Sequence, residues 1–547
     1  MNIRQITSQV SVSDQVTATD LPALAAQGVE ILVCNRPDGE AADQPAFHTI
    51  KDHADKLGVT AVMIAFTSDT MTASHVEQLS ALIRQGKRIH AYCRTGTRSE
   101  KLLEACATEA NGSSRLQSAP EKSGTSDADR PSQARSAPCP HYDVVIVGAG
   151  SGGIAVAASL RKRNKKLRIV LLDPATEHYY QPGWTMVGGG VFDITSTRRP
   201  MKGLIPTDVS WIPKAVAGFD CANNLVRLAD ESEIHYDQLV VSAGLKLDWE
   251  AVEGLSDALG NYGVTSNYRS DLAPYTWQLV QKFKGGKALF TQPPMPIKCA
   301  GAPQKALYLS ADHWRRHGIL DKVDLHFYNS GAVLFGVKEY VPALEAYMKR
   351  YKAKLHFGNT LVKVDGPAKK AWFVYQNELG EQQLLETEFD FLHVCPPQCA
   401  PDFIRTSELA DASGWMDVNP GTLQHTRFAN VWGLGDVTNT TNAKTMAAVR
   451  KQAPVVAQNL YDSLKNIEPA RQYDGYGSCP LTVERGKIVL AEFTYGGKLA
   501  PTFPTWINDG LRPTRFAWQL KTRALPAIYW HAMLKGREWL TGCKTDS

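Results

Sequence analysis

The chain has 547 residues, 43% hydrophobic and 21% charged, with a formal net charge of +5. Single cores rarely grow beyond roughly 250 to 300 residues, so several domains are expected. No run of about 18 apolar residues occurs, and the opening MNIRQITSQVSVSDQ lacks the basic flank and apolar core of a secretory signal. These features exclude a spanning helix and point to the cytoplasm. Ten cysteines are too few for a disulfide scaffold, and the absence of any CxxC pair or His-rich tract argues against a metal site.

Residues 1–110 alternate helical and strand signals: LPALAAQG, VEILVCNRPDGE, VTAVMIAF, SHVEQLSALIRQG and RIHAYC. Short apolar runs between amphipathic segments predict a small parallel α/β sheet. Cys93 falls at the carboxyl end of the last strand, in YCRTGTRS, where open α/β folds keep their sites. A loop from strand to helix turns N–H groups into one hollow, and the helix dipole adds positive potential. With Arg94 and Arg98 alongside, Cys93 is a candidate thiolate nucleophile.

Loop length separates two chemistries. Cys-dependent phosphatases place an arginine after five intervening residues, but here that position is Ser99 and Arg98 comes one residue early. CRTGTR resembles the six-residue active loop of rhodanese sulfurtransferases, which implies one sulfane sulfur on Cys93. The surrounding domain, especially Asn35 to Glu40, resembles the phosphatase-like domain fused to β-lactamase-like hydrolases. Under that resemblance phosphatase activity stays open, with Asp38 the candidate general acid.

Residues 111–141, rich in Ser, Ala, Pro and charge, predict a flexible linker. The larger domain, residues 142–500, opens on YDVVIVGAGSGGIAVAASLRKRNKKLRIVLLDP. Gly148, Gly150 and Gly153 between strand and helix permit the tight turn and close approach of a pyrophosphate, and Asp173 ends the second strand at the distance suited to ribose hydroxyls. Strands ending at Ala243–Gly244 and at Gly433, Gly435 and Asp436, the latter followed by a helix starting near Lys444 and Thr445, resemble two-dinucleotide-domain (Rossmann-type) flavoproteins. That resemblance implies FAD, with Asp436 on the ribitol and the helix aimed at the flavin pyrimidine ring. Where a nicotinamide fingerprint is expected stands QPPMPIKCAGAPQK, with prolines and Cys299, so electrons are expected from another donor.

HYYQPGWTMVGGG, IKCAGAPQKALYLS, FGVKEY, TLQH, YDGYGSCPL and AEFTYG together resemble sulfide:quinone oxidoreductases of the mitochondrial type. The resemblance implies a cysteine disulfide beside FAD that sulfide opens to a persulfide, with electrons passing to a quinone and sulfur to a small thiol or other acceptor. Cys299 matches the first cysteine. The second falls where this chain has Val437, so Cys395 or Cys399 in LHVCPPQCAPDF are candidate replacements, unless Cys299 acts alone or with a small thiol. Cys34, Cys106, Cys139, Cys221, Cys479 and Cys543 read as core or surface thiols.

Residues 501–547 interleave Trp506, Phe516, Trp518, Tyr529, Trp530 and Trp539 with Arg512, Arg515, Lys521, Arg523, Lys535 and Arg537. Aromatic residues beside basic ones suit peripheral membrane contact and access to quinone. A tail packed on the flavin domain is the alternative. No nucleic-acid module accompanies the charge. Two other functions remain open: a flavin oxidoreductase of another substrate joined to a phosphatase, and a sulfide-sensing module.

Overall fold

A computed structural model describes residues 3–113 and 139–541, apart from positions 8, 38–39, 41–43, 46, 67–70, 72, 94–95 and 540. Arg94, Asp38, Cys543 and most of the expected linker lie outside the described residues. The chain divides into two compact units, residues 1–137 with 229–231, and the remainder.

The first unit is a five-stranded sheet. Strands Val10–Ser13, Ile89–Tyr92, Ile31–Cys34 and Thr60–Met63 run parallel in that order, with Arg4–Gln5 antiparallel at the edge. Helices Leu21–Ala26, Phe47–Lys56, Ala73–Ile83 and Thr97–Ser113 complete the α/β alternation. The VSVS strand is buried along its length because its serines have a partner: His90 lies fully buried and bonds Ser11 and Ser13 at 2.8 Å each. Burial pushes His90 down to about 4, so the imidazole is neutral and serves as a structural bridge.

The second unit holds two large sheets, the first mixed, with Leu225–Leu228 and Val216–Asp220 antiparallel at one edge, and the second parallel. The first runs through Val209–Ile212, Ile169–Leu172, His141–Val147 and Glu233–Val241, all parallel, with Val431–Gly433 also pairing parallel to Glu233–Val241. The second is fully parallel in the order Val264–Thr265, Phe391–His393, Gly286–Gln292, Val323–Asn329 and Lys354–Phe357. Buried apolar runs at residues 144–147, Ile169–Leu172 and residues 239–241 form the middle of the first sheet. An antiparallel hairpin, Gly477–Glu484 with Lys487–Phe493, packs into the core of the second sheet. Its placement decides the chemistry of the site.

Past residue 500 the tail forms helices Arg515–Gln519 and Leu525–His531, joined by a π-helical stretch Leu520–Ala524. Tyr529, Trp530, Met533 and Leu534 enter the core of the first sheet. This corrects the reading of Tyr529 and Trp530 as interfacial residues: the Tyr529 hydroxyl bonds Ser151 and His178, and a buried phenol needs such partners. Trp506, Phe516 and Trp539 stay exposed. Among the described residues no helix is long and apolar enough to cross a membrane.

Candidate functional site: a buried cysteine pair beside a dinucleotide cradle

The cradle is built as the glycine spacing requires. Gly148 sits at φ +95, where a Cβ would approach Ser242 O to 2.7 Å, and a Cβ on Gly153 would collide with the Gly148 carbonyl. Around Gly150, the N-cap of helix Ser151–Arg163, no atom lies within 4 Å of a built Cβ. This open approach to a helix N-terminus fits a pyrophosphate. Asp173 accepts hydrogen bonds from Ala149 N (2.7 Å) and Ala175 N (2.8 Å), while burial pushes its carboxyl up. Ser242 carries Ala243 and Gly244 to the same turn, its N–H donating to Val147 O at 2.8 Å.

Gly435, at φ +79, turns the chain after Val431–Gly433. Asp436 follows, its carboxyl raised by burial against the pull of Lys444 and Lys298. Lys444 donates to the carbonyls of Asp436 (2.9 Å) and Thr438 (2.7 Å), and burial pushes its ammonium down to about 8. Thr445 caps helix Met446–Ser463 by accepting from Ala448 N at 3.2 Å. The structure thus brings the expected cradle residues into one half of the unit.

Cys299 joins that half. Its N–H donates to Lys444 O at 2.8 Å, and its backbone holds φ +52, a left-handed conformation a non-glycine residue adopts only under constraint. Helix Ala302–Arg316 begins three residues later, and Lys305 on its first turn places Nζ 3.0 Å from Cys299 Sγ.

The thiol that acts most strongly on Cys299 belongs to Cys479, whose sequence context suggests only a core or surface thiol. Cys479 lies fully buried on the Gly477–Glu484 strand, in the same core as helix Ala302–Arg316. Cys479, with the ammonium groups of Lys305 and Lys521, holds the Cys299 thiol well below its usual range despite burial. Cys479 is raised by the Cys299 sulfur and by burial. Of the two, Cys299 is the thiol more readily ionised.

Lys521 reaches this site from the tail. It is buried, donates to Pro182 O at 3.0 Å, and is pushed down to about 7 by burial and by Lys305. Lys305 is held above its ordinary value, burial being outweighed by the two sulfurs.

The two cysteines expected to partner Cys299 lie elsewhere around it. Cys395 is buried against Tyr268 and Gln398, its thiol raised to about 12 by burial. Cys399 sits beside Arg405, 3.9 Å from Nη1, with its thiol raised by burial. Neither is among the leading groups acting on the Cys299 thiol, of which Cys479 is the strongest. Val437 is fully buried in the first sheet's core.

In the first unit, Cys93 follows strand Ile89–Tyr92 and is fully buried. Gly96 N donates to its sulfur at 3.2 Å, with Gly96 at φ +87 just before helix Thr97–Ser113. Arg98 does not face the thiol freely. Its guanidinium bonds Glu40 Oε2 at 2.6 Å and Phe66 O at 2.9 Å, and Arg36 Nε reaches the same carboxylate oxygen at 2.7 Å. Burial works to raise Glu40, but the two guanidiniums hold it below the usual carboxylate range.

Two Rossmann-type sheets and a glycine cradle at a helix N-terminus define a flavin-dependent oxidoreductase of the two-dinucleotide-domain class. Family models agree: residues 142–274 match the pyridine nucleotide-disulphide oxidoreductase family, and residues 2–110 match the phosphatase-like domain of beta-lactamase hydrolase-like proteins. The chain is 41% identical to the mitochondrial sulfide:quinone oxidoreductase of Dictyostelium discoideum, over 72% of this chain and 86% of that protein. It is 36% identical to the mouse enzyme of the same name, over 72% and 87%. The sulfide:quinone oxidoreductase structure from Aquifex aeolicus shares the fold at TM-score 0.58 and 20% identity, covering 73% of this chain and 92% of that one. The chain belongs to the sulfide:quinone oxidoreductase family, with a phosphatase-like domain at its amino-terminal end.

Proposed function

We propose that this protein oxidises sulfide at the Cys299–Cys479 pair, delivers the electrons to a membrane quinone, and passes the sulfane sulfur to Cys93 or a small thiol. The Lys305 ammonium 3.0 Å from Cys299 Sγ, with Cys479 the thiol that acts most strongly on Cys299, carries this reading. FAD is the flavin proposed for the cradle, with Gly148, Gly150, Gly153 and Asp173 at its adenosine end and Asp436, Lys444 and Thr445 towards its ring. When bound, it supplies a two-electron acceptor able to reduce quinone.

The residues set the direction of sulfur transfer. In the oxidised pair, hydrosulfide attacks one sulfur and the S–S bond breaks, leaving a persulfide there and a thiolate on the other. The thiol of lower pKa leaves faster. Cys299, stabilised as thiolate by Lys305 and Lys521, is therefore the leaving group, and the sulfane sulfur lands on Cys479. Lys305 and Lys521 also draw hydrosulfide, an anion, into a site that would otherwise exclude charge.

Peptide mass mapping tests the pairing. In the oxidised protein Cys299 and Cys479 should be cross-linked, and one equivalent of sulfide should leave one extra sulfur on the Cys479 peptide. A cross-link from Cys299 to Cys395 or Cys399 contradicts the assignment.

For Cys93, the Glu40 ion pairs favour sulfur over phosphate. A phosphate dianion would compete with Glu40 for both guanidiniums, whereas a sulfane sulfur on Cys93 has the Gly96 N–H beside it without displacing Glu40. The exposed Trp506, Phe516 and Trp539 beside basic residues support peripheral membrane contact by the tail.

A further inference from the structure

Between the hairpin and the tail lies a pocket of about 510 Å³ lined by three arginines and no carboxylate. Arg316 ends helix Ala302–Arg316, Arg485 occupies the hairpin turn, and Arg523 comes from the π-helical stretch of the tail. Phe192 and Trp518 supply its apolar wall. Asp312, nearly fully buried, explains how like charges are assembled here. Its carboxylate accepts from Arg316 Nε (2.8 Å), Arg315 Nη2 (2.9 Å) and Arg485 N (3.0 Å), fixing the backbone of one arginine and the side chain of another. The Arg485 guanidinium reaches only the Gly190 carbonyl, at 3.4 Å. Among the described residues neither Arg485 nor Arg523 has a carboxylate partner.

We propose that this pocket binds the phosphodiester headgroup of an anionic membrane lipid, seating the flavin unit on the bilayer in a fixed orientation. Guanidinium forks suit phosphate oxygens, and the pocket's charge is unbalanced without an anion. The lipid, rather than a soluble phosphate, is indicated by what lies alongside. Phe516, 39% exposed, sits one helical turn before Gln519, which also lines the pocket. Phe503 packs edge-on against Phe516 at 5.1 Å, and the segment after it leaves Trp506 83%, Ile507 39% and Leu511 38% exposed. Charge and apolar surface side by side match a headgroup and its acyl chains, while a free phosphate would use only the arginines.

The inference rests on the membrane contact proposed above, and one experiment separates their failures. Full-length, flavin-loaded protein is sedimented with phosphatidylcholine vesicles, with and without added phosphatidylglycerol. The comparison covers wild type, the double variant Arg485→Ala/Arg523→Ala and the control Arg512→Ala/Arg515→Ala, which removes equal charge outside the pocket. Phosphatidylglycerol should strengthen wild-type binding, and the pocket variant should lose roughly tenfold or more of that gain, well beyond the control. Unchanged sulfide-dependent bleaching of the flavin certifies the variant's fold. Equal losses in pocket and control variants overturn the pocket assignment and leave membrane contact standing. No binding to either vesicle overturns both, and release of the wild type by millimolar inorganic phosphate overturns the lipid in favour of a soluble anion.

Discussion

At the scale of single residues, Lys305 and Lys521 bring positive charge to both sulfurs, and the Lys305 ammonium bonds Cys299. Lys305→Met removes the ammonium 3.0 Å from Cys299. The folded-state pKa of Cys299 is depressed, so its thiolate persists above that value and is lost as pH falls through it. Losing Lys305 raises the value, and the acid limb of iodoacetamide alkylation at Cys299 should move about one unit or more to higher pH. Lys521 adds a second titration, since its ammonium, pushed down to about 7, is charged below neutrality and neutral above it. Lys521→Met should therefore flatten the dependence of flavin bleaching on pH around neutrality. A profile that keeps its wild-type inflection would assign that inflection to another group.

At the scale of elements, the cradle and the redox pair differ in how far the sequence reveals them. The Tyr142–Asp173 segment is legible because its chemistry is local: strand, glycine turn, helix and acid follow within one βαβ unit. Gly153→Ala should yield folded protein lacking most of its flavin absorbance, because the new methyl meets the Gly148 carbonyl. Flavin retained at the wild-type level would show that the turn can open. Cys479 is not legible in this way. No second thiol lies near it in sequence, Gly475 and Gly477 lead into a strand rather than a helix N-terminus, and it meets Cys299 only because its hairpin packs against helix Ala302–Arg316. The Phe47–Lys56 helix escapes pattern reading for a similar reason, as only Ile50 and Ala54 anchor it to the core. The tail divides: Tyr529 and Trp530 satisfy the aromatic pattern of an interface yet fill the core, where Ser151 and His178 bond the Tyr529 hydroxyl.

For the whole molecule, two compact units joined by a polar segment carry two cysteine sites, and a tether can raise the effective concentration of one near the other. Full-length Cys93→Ser and Cys299→Ala chains, mixed at micromolar concentration, should transfer sulfur from sulfide to glutathione far more slowly than wild type. Equal rates would mean that the persulfide reaches glutathione directly or through Cys93 of another chain. With glutathione persulfide as donor, Cys93→Ser alone should abolish transfer by the amino-terminal domain. Release of phosphate from an aryl phosphate without any sulfur transfer would instead favour the phosphatase reading.

The most direct measurement is anaerobic stopped-flow mixing of the yellow, full-length protein with sulfide, followed by a soluble quinone analogue, in wild type and in Cys479→Ala and Cys395→Ala. Wild type and Cys395→Ala should bleach with sulfide and recover their colour with quinone, while Cys479→Ala should bleach roughly a hundredfold more slowly or not at all. Bleaching at the wild-type rate in Cys479→Ala would contradict a Cys299–Cys479 redox pair.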